Sequence, residues 1–324
     1  MQAGTVSPML LSRVAERVYW QARYLERAEN MARLLHVFSA LQLDLPKGTK
    51  LGWQSLIQIT GHDTYFSSKY KQENERNVVK FLLSERNGIS LVDMLVSARE
   101  NARTTREIMP TEAFELINGL YHFARDHAEK GLHRAERNDI LEQIVSRAQQ
   151  IGGLLAGSMS RDEAFSFVRL GRSLERADMT TRIIDVDAQK LMPQLEVEGA
   201  EPEAREPYDN ILWMNVLRSS SAYQMYRQHV QERVNGADVA RFLLQNEEFP
   251  RSAAHNLTTL IKVLENLPNS GKVTWQVNNT RRLVRNADLP RLMQRGLLDH
   301  LDQVQQEIGK VHHKIADTWF LPSK

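Results

Sequence analysis

The strongest constraint on this chain is that it repeats itself. Tyr24-Leu25-Glu26-Arg27-Ala28-Glu29 returns as Ser173-Leu174-Glu175-Arg176-Ala177-Asp178, and Arg33-Leu34-Leu35-His36-Val37 returns as Arg182-Ile183-Ile184-Asp185-Val186. Both matches share an offset of 149 residues with no gap. The repeated unit is helical. At ~100° per residue, Val18, Tyr24, Leu25, Ala28, Met31, Ala32 and Leu35 share a broad apolar arc. Arg23, Glu26, Arg27, Glu29 and Arg33 fall on the other side.

Helical periodicity continues along the chain, and alternating β-branched runs are missing. After a short extension over residues 1–8, the first helix is expected from about Ser12 to Leu43, stopped by Pro46-Lys47-Gly48. A short helix bears Trp53, Leu56 and Ile57, and another from Asn74 to Ser84 bears Val78, Val79, Phe81, Leu82 and Leu83. Ser90 reads as an N-cap, with its helix running to Met109 before Pro110. Further helices follow from Thr111 through His127 and from Asn138 to Ala156. Ser160-Arg161-Asp162-Glu163 reads as a capping box that opens the second long helix, which ends near Leu191. An acidic linker near 194–207 holds five glutamates between Glu196 and Glu206.

The second half replays the first. Val239-Ala240-Arg241-Phe242-Leu243-Leu244 answers Val78-Val79-Lys80-Phe81-Leu82-Leu83, Ser252 answers Ser90, and a final helix spans Pro290 to Phe320. The expected fold is all-α: a helical bundle built from two internally duplicated halves, 1–157 and 158–324. A pseudo-two-fold relates them, and the long helices pack together in one compact unit.

Composition narrows the function classes. A chain of 324 residues can bury a large core, and a net charge of +2 gives no global drive toward nucleic acid. Cysteine is absent, which excludes disulfides, thiolate nucleophiles and Cys-based zinc sites. No apolar run approaches the ~20 residues of a membrane span, and Met1 to Met9 lacks the regions of a signal peptide. The expected compartment is the cytoplasm. His122 and His127 are five apart and His312-His313 adjacent, so neither pair shares a helical face, and no metal is expected. Phosphate-loop and serine-nucleophile motifs are missing, and no cofactor is expected. The stretch Asn279 to Arg285 reads as a solvated basic face rather than a nucleic-acid interface.

Four strings in order, Leu11-Ser12-Arg13-Val14-Ala15-Glu16-Arg17-Val18-Tyr19-Trp20, Tyr24 to Glu29, Ser97-Ala98-Arg99-Glu100-Asn101-Ala102-Arg103, and Leu170-Gly171-Arg172-Ser173-Leu174-Glu175-Arg176-Ala177-Asp178, give a resemblance to the alpha-E family. These are all-helical bacterial proteins with a Glu-Arg motif, and the likeness runs from Met9 onward. The resemblance implies two partners, a circularly permuted ATP-grasp-type ligase and a transglutaminase-like protein. It also implies a setting of amide-bond formation or peptide modification. The leading expectation is an accessory or substrate-binding subunit of that system. The alternatives are an enzyme using its own Glu/Arg pairs and a plain scaffold.

Adjacent Glu and Arg diverge by ~100° on a helix and serve different partners. Under a pseudo-two-fold, Glu26 meets Arg176 and Glu175 meets Arg27, with Arg23 and Arg172 one turn away. One reading is an ion-pair frame that docks the halves. The other is a polar site whose arginines hold a carboxylate, an acidic peptide or a phosphate. An arginine partner depresses a carboxylate pKa, so no catalytic residue is assigned. The Ser90 helix adds a cluster that is not duplicated. Arg99, Arg103 and Arg106 lie within about 60° of one another at helical spacing, whereas aligning Ser90 with Ser252 sets Ile261, Lys262 and Val263 against Arg99, Glu100 and Asn101. Arg99, Glu100, Asn101 and Arg103 are therefore candidate ligand or partner contacts as well.

Overall fold

The computed structural model describes residues 10–44, 52–191 and 206–320, and among them every regular element is helical. The first half runs α1 (Ser12–Asp44), α2 (Gln54–Thr60), α3 (Asp63–Lys69), α4 (Glu75–Leu83), α5 (Leu91–Arg103), α6 (Thr111–His127) and α7 (Arg134–Ser158). The second runs α8 (Glu163–Leu191), α9 (Glu206–Ser219), α10 (Tyr223–His229), α11 (Gly236–Gln245), α12 (Ala253–Leu264), α13 (Gly271–Arg285), α14 (Leu289–Gln294) and α15 (Leu297–Ile315). A π-helical turn over Ala316–Phe320 ends it. The expected extension over residues 1–8, the stop at Pro46-Lys47-Gly48 and the linker over 194–205 lie outside the described residues. Glu206 already belongs to α9.

The two long helices pack against each other at the centre. Helix α1 is flanked by α5 and α7, and α8 by α12 and α15. Two short helices cross over: α2 packs on α8, and α9 packs on α1. Small residues allow the central approach. A Cβ added at Gly171 of α8 would run into the Tyr19 carbonyl oxygen and lie 3.3 Å from Ala22 Cβ. Ala22 and Gly171 are themselves separated by the repeat offset. One apolar cluster runs from Ala15 and Val18 through Leu35 on α1, Leu170 and Ile184 on α8, and on to Val304 and Ile315 on α15.

Several boundaries differ from expectation, each for a local reason. The Ser90 cap forms, its side chain accepting from Asp93 N at 3.2 Å, but α5 stops at Arg103. Thr104 and Thr105 turn their hydroxyls back onto the carbonyls of Glu100 and Asn101, competing with the helical ladder. Arg106 thus leaves the Arg99–Arg103 face and sits 3.8 Å from the Phe114 ring centroid. Helix α8 is capped by Asp162, not Ser160: Asp162 Oδ1 accepts from Phe165 N at 3.0 Å. The last helix is broken where Gly296 adopts φ +98°, a left-handed conformation that favours glycine. The charged side of α1 is not solvated. From Gln21 to Leu35 only Tyr24 and Arg27 escape full burial.

Candidate functional site

Burying that charged side forces its ionic groups to find partners, and for Arg23, Glu26 and Arg27 these come from the other long helix. Glu26, 3% exposed, accepts from Arg176 Nε at 2.8 Å and Arg172 Nε at 3.3 Å. Glu175, 1% exposed, accepts from Arg23 Nε at 2.8 Å, from Arg27 Nε at 2.6 Å and from Arg27 Nη2 at 2.9 Å. Under the 149-residue offset the pairs are reciprocal: Glu26 with Arg172 and Arg176 corresponds to Glu175 with Arg23 and Arg27. One turn further, Arg33 pairs with Glu29 on α1, and Arg182 pairs with Asp178 on α8.

One cation breaks the reciprocity. Arg251, just before α12, reaches Glu26 Oε1 at 3.0 Å, Asn30 Oδ1 at 3.0 Å and Glu29 Oε1 at 2.5 Å. Its carbonyl is anchored by Thr180 Oγ1 at 2.8 Å. Counting from the two capping serines, the corresponding residue in the first half is Ile89. The ion pairs fall into three neighbouring groups, Arg23 and Arg27 on Glu175, Arg33, Arg172, Arg176 and Arg251 on Glu26 and Glu29, and Arg182 on Asp178, which together set seven arginines against four carboxylates.

The electrostatics follow from that imbalance. Burial pushes the Glu26 carboxyl pKa up, but Arg176, Arg251 and Arg172 outweigh it and hold the pKa at about 2. Burial acts likewise on Glu175, and Arg23 with Arg27 bring it to about 2. The arginines are served less evenly. Burial lowers Arg251 to about 10 despite Glu26 and Glu29. Arg172 is lowered by burial and by repulsion from Arg176.

A cavity of about 210 Å³ opens beside the excess charge, between α1, α7, α8 and the start of α12. It is more than ten times the space one water needs. Glu26, Glu29, Arg172 and Arg176 line it, with His255, Asn256 and Thr259 opposite. Arg169 also faces it with no hydrogen bond or ion pair among the described residues, and burial lowers its pKa. Gly152 on α7 makes room for Arg172: a Cβ there would lie 3.1 Å from Arg172 Nη2. The arrangement presents guanidinium groups to an anion across a partly apolar wall.

Of the residues singled out in the sequence, Arg23, Glu26, Arg27, Arg172, Glu175 and Arg176 converge on this network. Arg99, Glu100, Asn101 and Arg103 do not. Glu100 bridges Arg99 at 2.8 Å and Arg103 at 2.9 Å at the surface, and Arg99 also donates to Asn118 Oδ1 at 2.7 Å and lies over Tyr121. Sequence reasoning missed Arg169 and Arg251. The available signal was an unduplicated arginine directly before a capping serine. Among the described residues no group of three or more His, Asp or Glu could hold a metal ion, and no helix is long and apolar enough to cross a membrane.

The family model for Alpha-E, described as a predicted alpha-helical domain with a conserved ER motif, matches residues 10–320. An uncharacterized protein of Mycobacterium bovis and one of Mycobacterium tuberculosis are each 26% identical to the chain over 280 residues. Each match covers 80% of this chain but 30% of the relative, so the chain spans under a third of the length of these curated relatives. No solved structure matches the chain.

Proposed function

The chain belongs to the Alpha-E family, and from that premise we propose that it is an accessory subunit holding an acidic, carboxylate-bearing peptide for an ATP-grasp-type ligase. A transglutaminase-like protein is its second partner, and the cytoplasm, where ATP is supplied, is its compartment. The observation that carries this reading is the excess of buried arginine over carboxylate at the cavity beside Glu26. A network serving only to dock two helices is complete when its charges balance. Here Arg169 has no partner among the described residues, and Arg172 and Arg251 are less basic than ordinary arginines because burial outweighs their carboxylate contacts. A ligand carboxylate would accept from such guanidinium groups in plane, with two oxygens.

The same electrostatics weigh against the chain acting as an enzyme through Glu26 or Glu175. A carboxyl held at about 2 is a poor proton acceptor at neutral pH, whereas an effective base titrates near the working pH. The greater length of the mycobacterial relatives supports a region that works alongside further protein. We also propose that residues 1–157 and 158–324 are duplicated halves about a pseudo-two-fold through the Ala22–Gly171 contact. The reciprocal ion pairs and the exchanged packing of α2 and α9 support it.

Calorimetric titration at low salt with tri-glutamate tests the reading. The intact chain is expected to bind it, with affinity reduced at least ten-fold in Arg169→Ala while Tm stays within about 1 °C, as for a change that touches no buried pair. Absence of binding, or binding by Arg169→Ala and Arg172→Ala as tight as by the intact chain, overturns it. A pull-down with the ligase tests the partnership separately.

A further inference from the structure

A second cavity, of about 200 Å³, lies against the opposite face of α1, in a groove between α1, α2, α8 and the start of α5. Residues 22, 25, 26 and 29 border the first cavity and 24, 27 and 31 the second. At ~100° per residue these sets point nearly 180° apart. We infer that this cavity is a separate ligand site for an α-carboxylate that carries an apolar side chain. The site is argued from its own lining and does not depend on the acidic-peptide reading above.

Its polar end holds two incompletely used guanidinium groups. Arg27, which lines the cavity, spends Nε and Nη2 on Glu175, and its Nη1 has no hydrogen-bond partner among the described residues. Arg182 spends Nε on Asp178 at 2.9 Å. Its Nη1 lies over the turn at Gly61, where an added Cβ would be 3.1 Å away. That turn has φ +69°, so glycine serves both the backbone and the space above it. The next residue, His62, also lines the cavity, and its buried Nδ1 has no hydrogen-bond partner among the described residues. A buried ring nitrogen left alone is costly, and a ligand oxygen or N–H placed there would satisfy it. The lining holds two cations, Arg27 and Arg182, against two carboxylates, Glu175 and Asp178, and Arg23, outside the lining, also pairs with Glu175. The guanidinium N–H groups that Arg27 and Arg182 do not spend on these carboxylates would receive one ligand carboxylate.

The other end is apolar. Counting from the capping serines, Ile89 stands where the second half has Arg251, and Met94 stands where it has Asn256. Met31 and Ile89 continue this wall. The wall that is cationic and polar around the first cavity is thus apolar here. An aliphatic side chain buried against it would leave water for an apolar surface, while its carboxylate would meet Arg27 and Arg182. Two sources fit this chemistry: a free apolar amino acid and the C-terminus of a peptide ending in an apolar residue.

The test is calorimetric titration of the full chain with L-leucine, N-acetyl-L-leucine and L-leucinamide. Binding of leucine alone assigns a free amino acid, and binding of N-acetyl-leucine, with or without leucine, admits a peptide terminus. Arg182→Gln is expected to weaken either at least ten-fold without loss of helical circular dichroism, and Arg169→Ala to leave it unchanged. Should Arg182→Gln fail to fold, His62→Phe, which removes the ring nitrogens at the half-buried cavity wall, is expected to weaken binding in its place. Leucinamide binding as tightly as leucine, no binding of any of the three at millimolar concentration, or full binding by both folded variants overturns the assignment. Failure of tri-glutamate to bind would bear on the first cavity alone.

Discussion

Glu175 is held by Arg27 through two parallel hydrogen bonds, Nε to Oε1 at 2.6 Å and Nη2 to Oε2 at 2.9 Å. Arg23 adds a third contact at 2.8 Å. A carboxylate 1% exposed survives inside a protein only with such a set of charge-assisted bonds. Glutamine at this position keeps the shape and removes the charge, leaving Arg23 buried without its counter-ion. Glu175→Gln is expected to cost roughly 3–5 kcal/mol, or about 4–7 °C in Tm for a chain of this length. Thermal denaturation reads it. Adding Arg27→Met should cost less than the sum of the two single changes, because they share one interaction.

The contact at the middle of the helix pair gives a prediction with an internal control. Gly171→Ala drives a methyl into the Tyr19 carbonyl oxygen, and neither backbone can move away alone. A loss of at least 1–3 kcal/mol, the range for overpacking, is expected in urea denaturation. Gly153→Ala, on the exposed side of α7 with nothing within 4 Å of the new Cβ, should instead stabilise by about 0.5–1 kcal/mol.

Acid should unfold the protein in two stages. Burial and Arg23 hold His312 down to about 4 from 6.5. Between those values the unfolded chain binds the proton and the folded chain does not, so stability falls as pH drops from 6.5 to 4. Glu26 and Glu175 sit near 2 in the fold against 4.5 unfolded. Their contribution is complete above 4.5 and is lost as pH falls toward 2. Urea midpoints measured from pH 7 to pH 2.5 should decline through both windows. Glu175→Gln should flatten the lower limb, and His312→Gln the upper.

The surface trio behaves differently. Arg103, half exposed, bridges only Glu100. Arg103→Ala should change stability by less than about 1 kcal/mol, the usual worth of an exposed pair, and leave tri-glutamate binding at wild-type strength. A ten-fold loss of binding in that variant would move the ligand site to the α5 surface.

The helical class was readable because long amphipathic runs leave few alternatives, and the Glu26–Arg176 and Glu175–Arg27 partners were readable because the repeat exposed them twice. Arg251 was not, since it stands in a loop 225 residues from Glu26 and no helical period points to it. Helix ends failed where side chains compete with the backbone. Thr104 and Thr105 end α5 by back-bonding, and Asp162 rather than Ser160 takes the cap of α8. Nor could sequence show that α1 is enclosed on nearly every side, because its charged residues read equally well as a wet face. Only the position of α8 decides between the two.

The separation of the paired charges also has a consequence in time. Glu26 emerges from the ribosome 146 residues before Arg172 and 225 before Arg251. At ~5–20 residues per second, the wait for Arg172 alone is roughly 7–30 s. Throughout it, the carboxylates of α1 keep their hydration, because no counter-ion from α8 has yet been made. Arrival of α8 is the event that strips water from both helices together. The nascent first half is therefore a waiting surface, and the moment of greatest exposure to misassembly comes before residue 172 is translated.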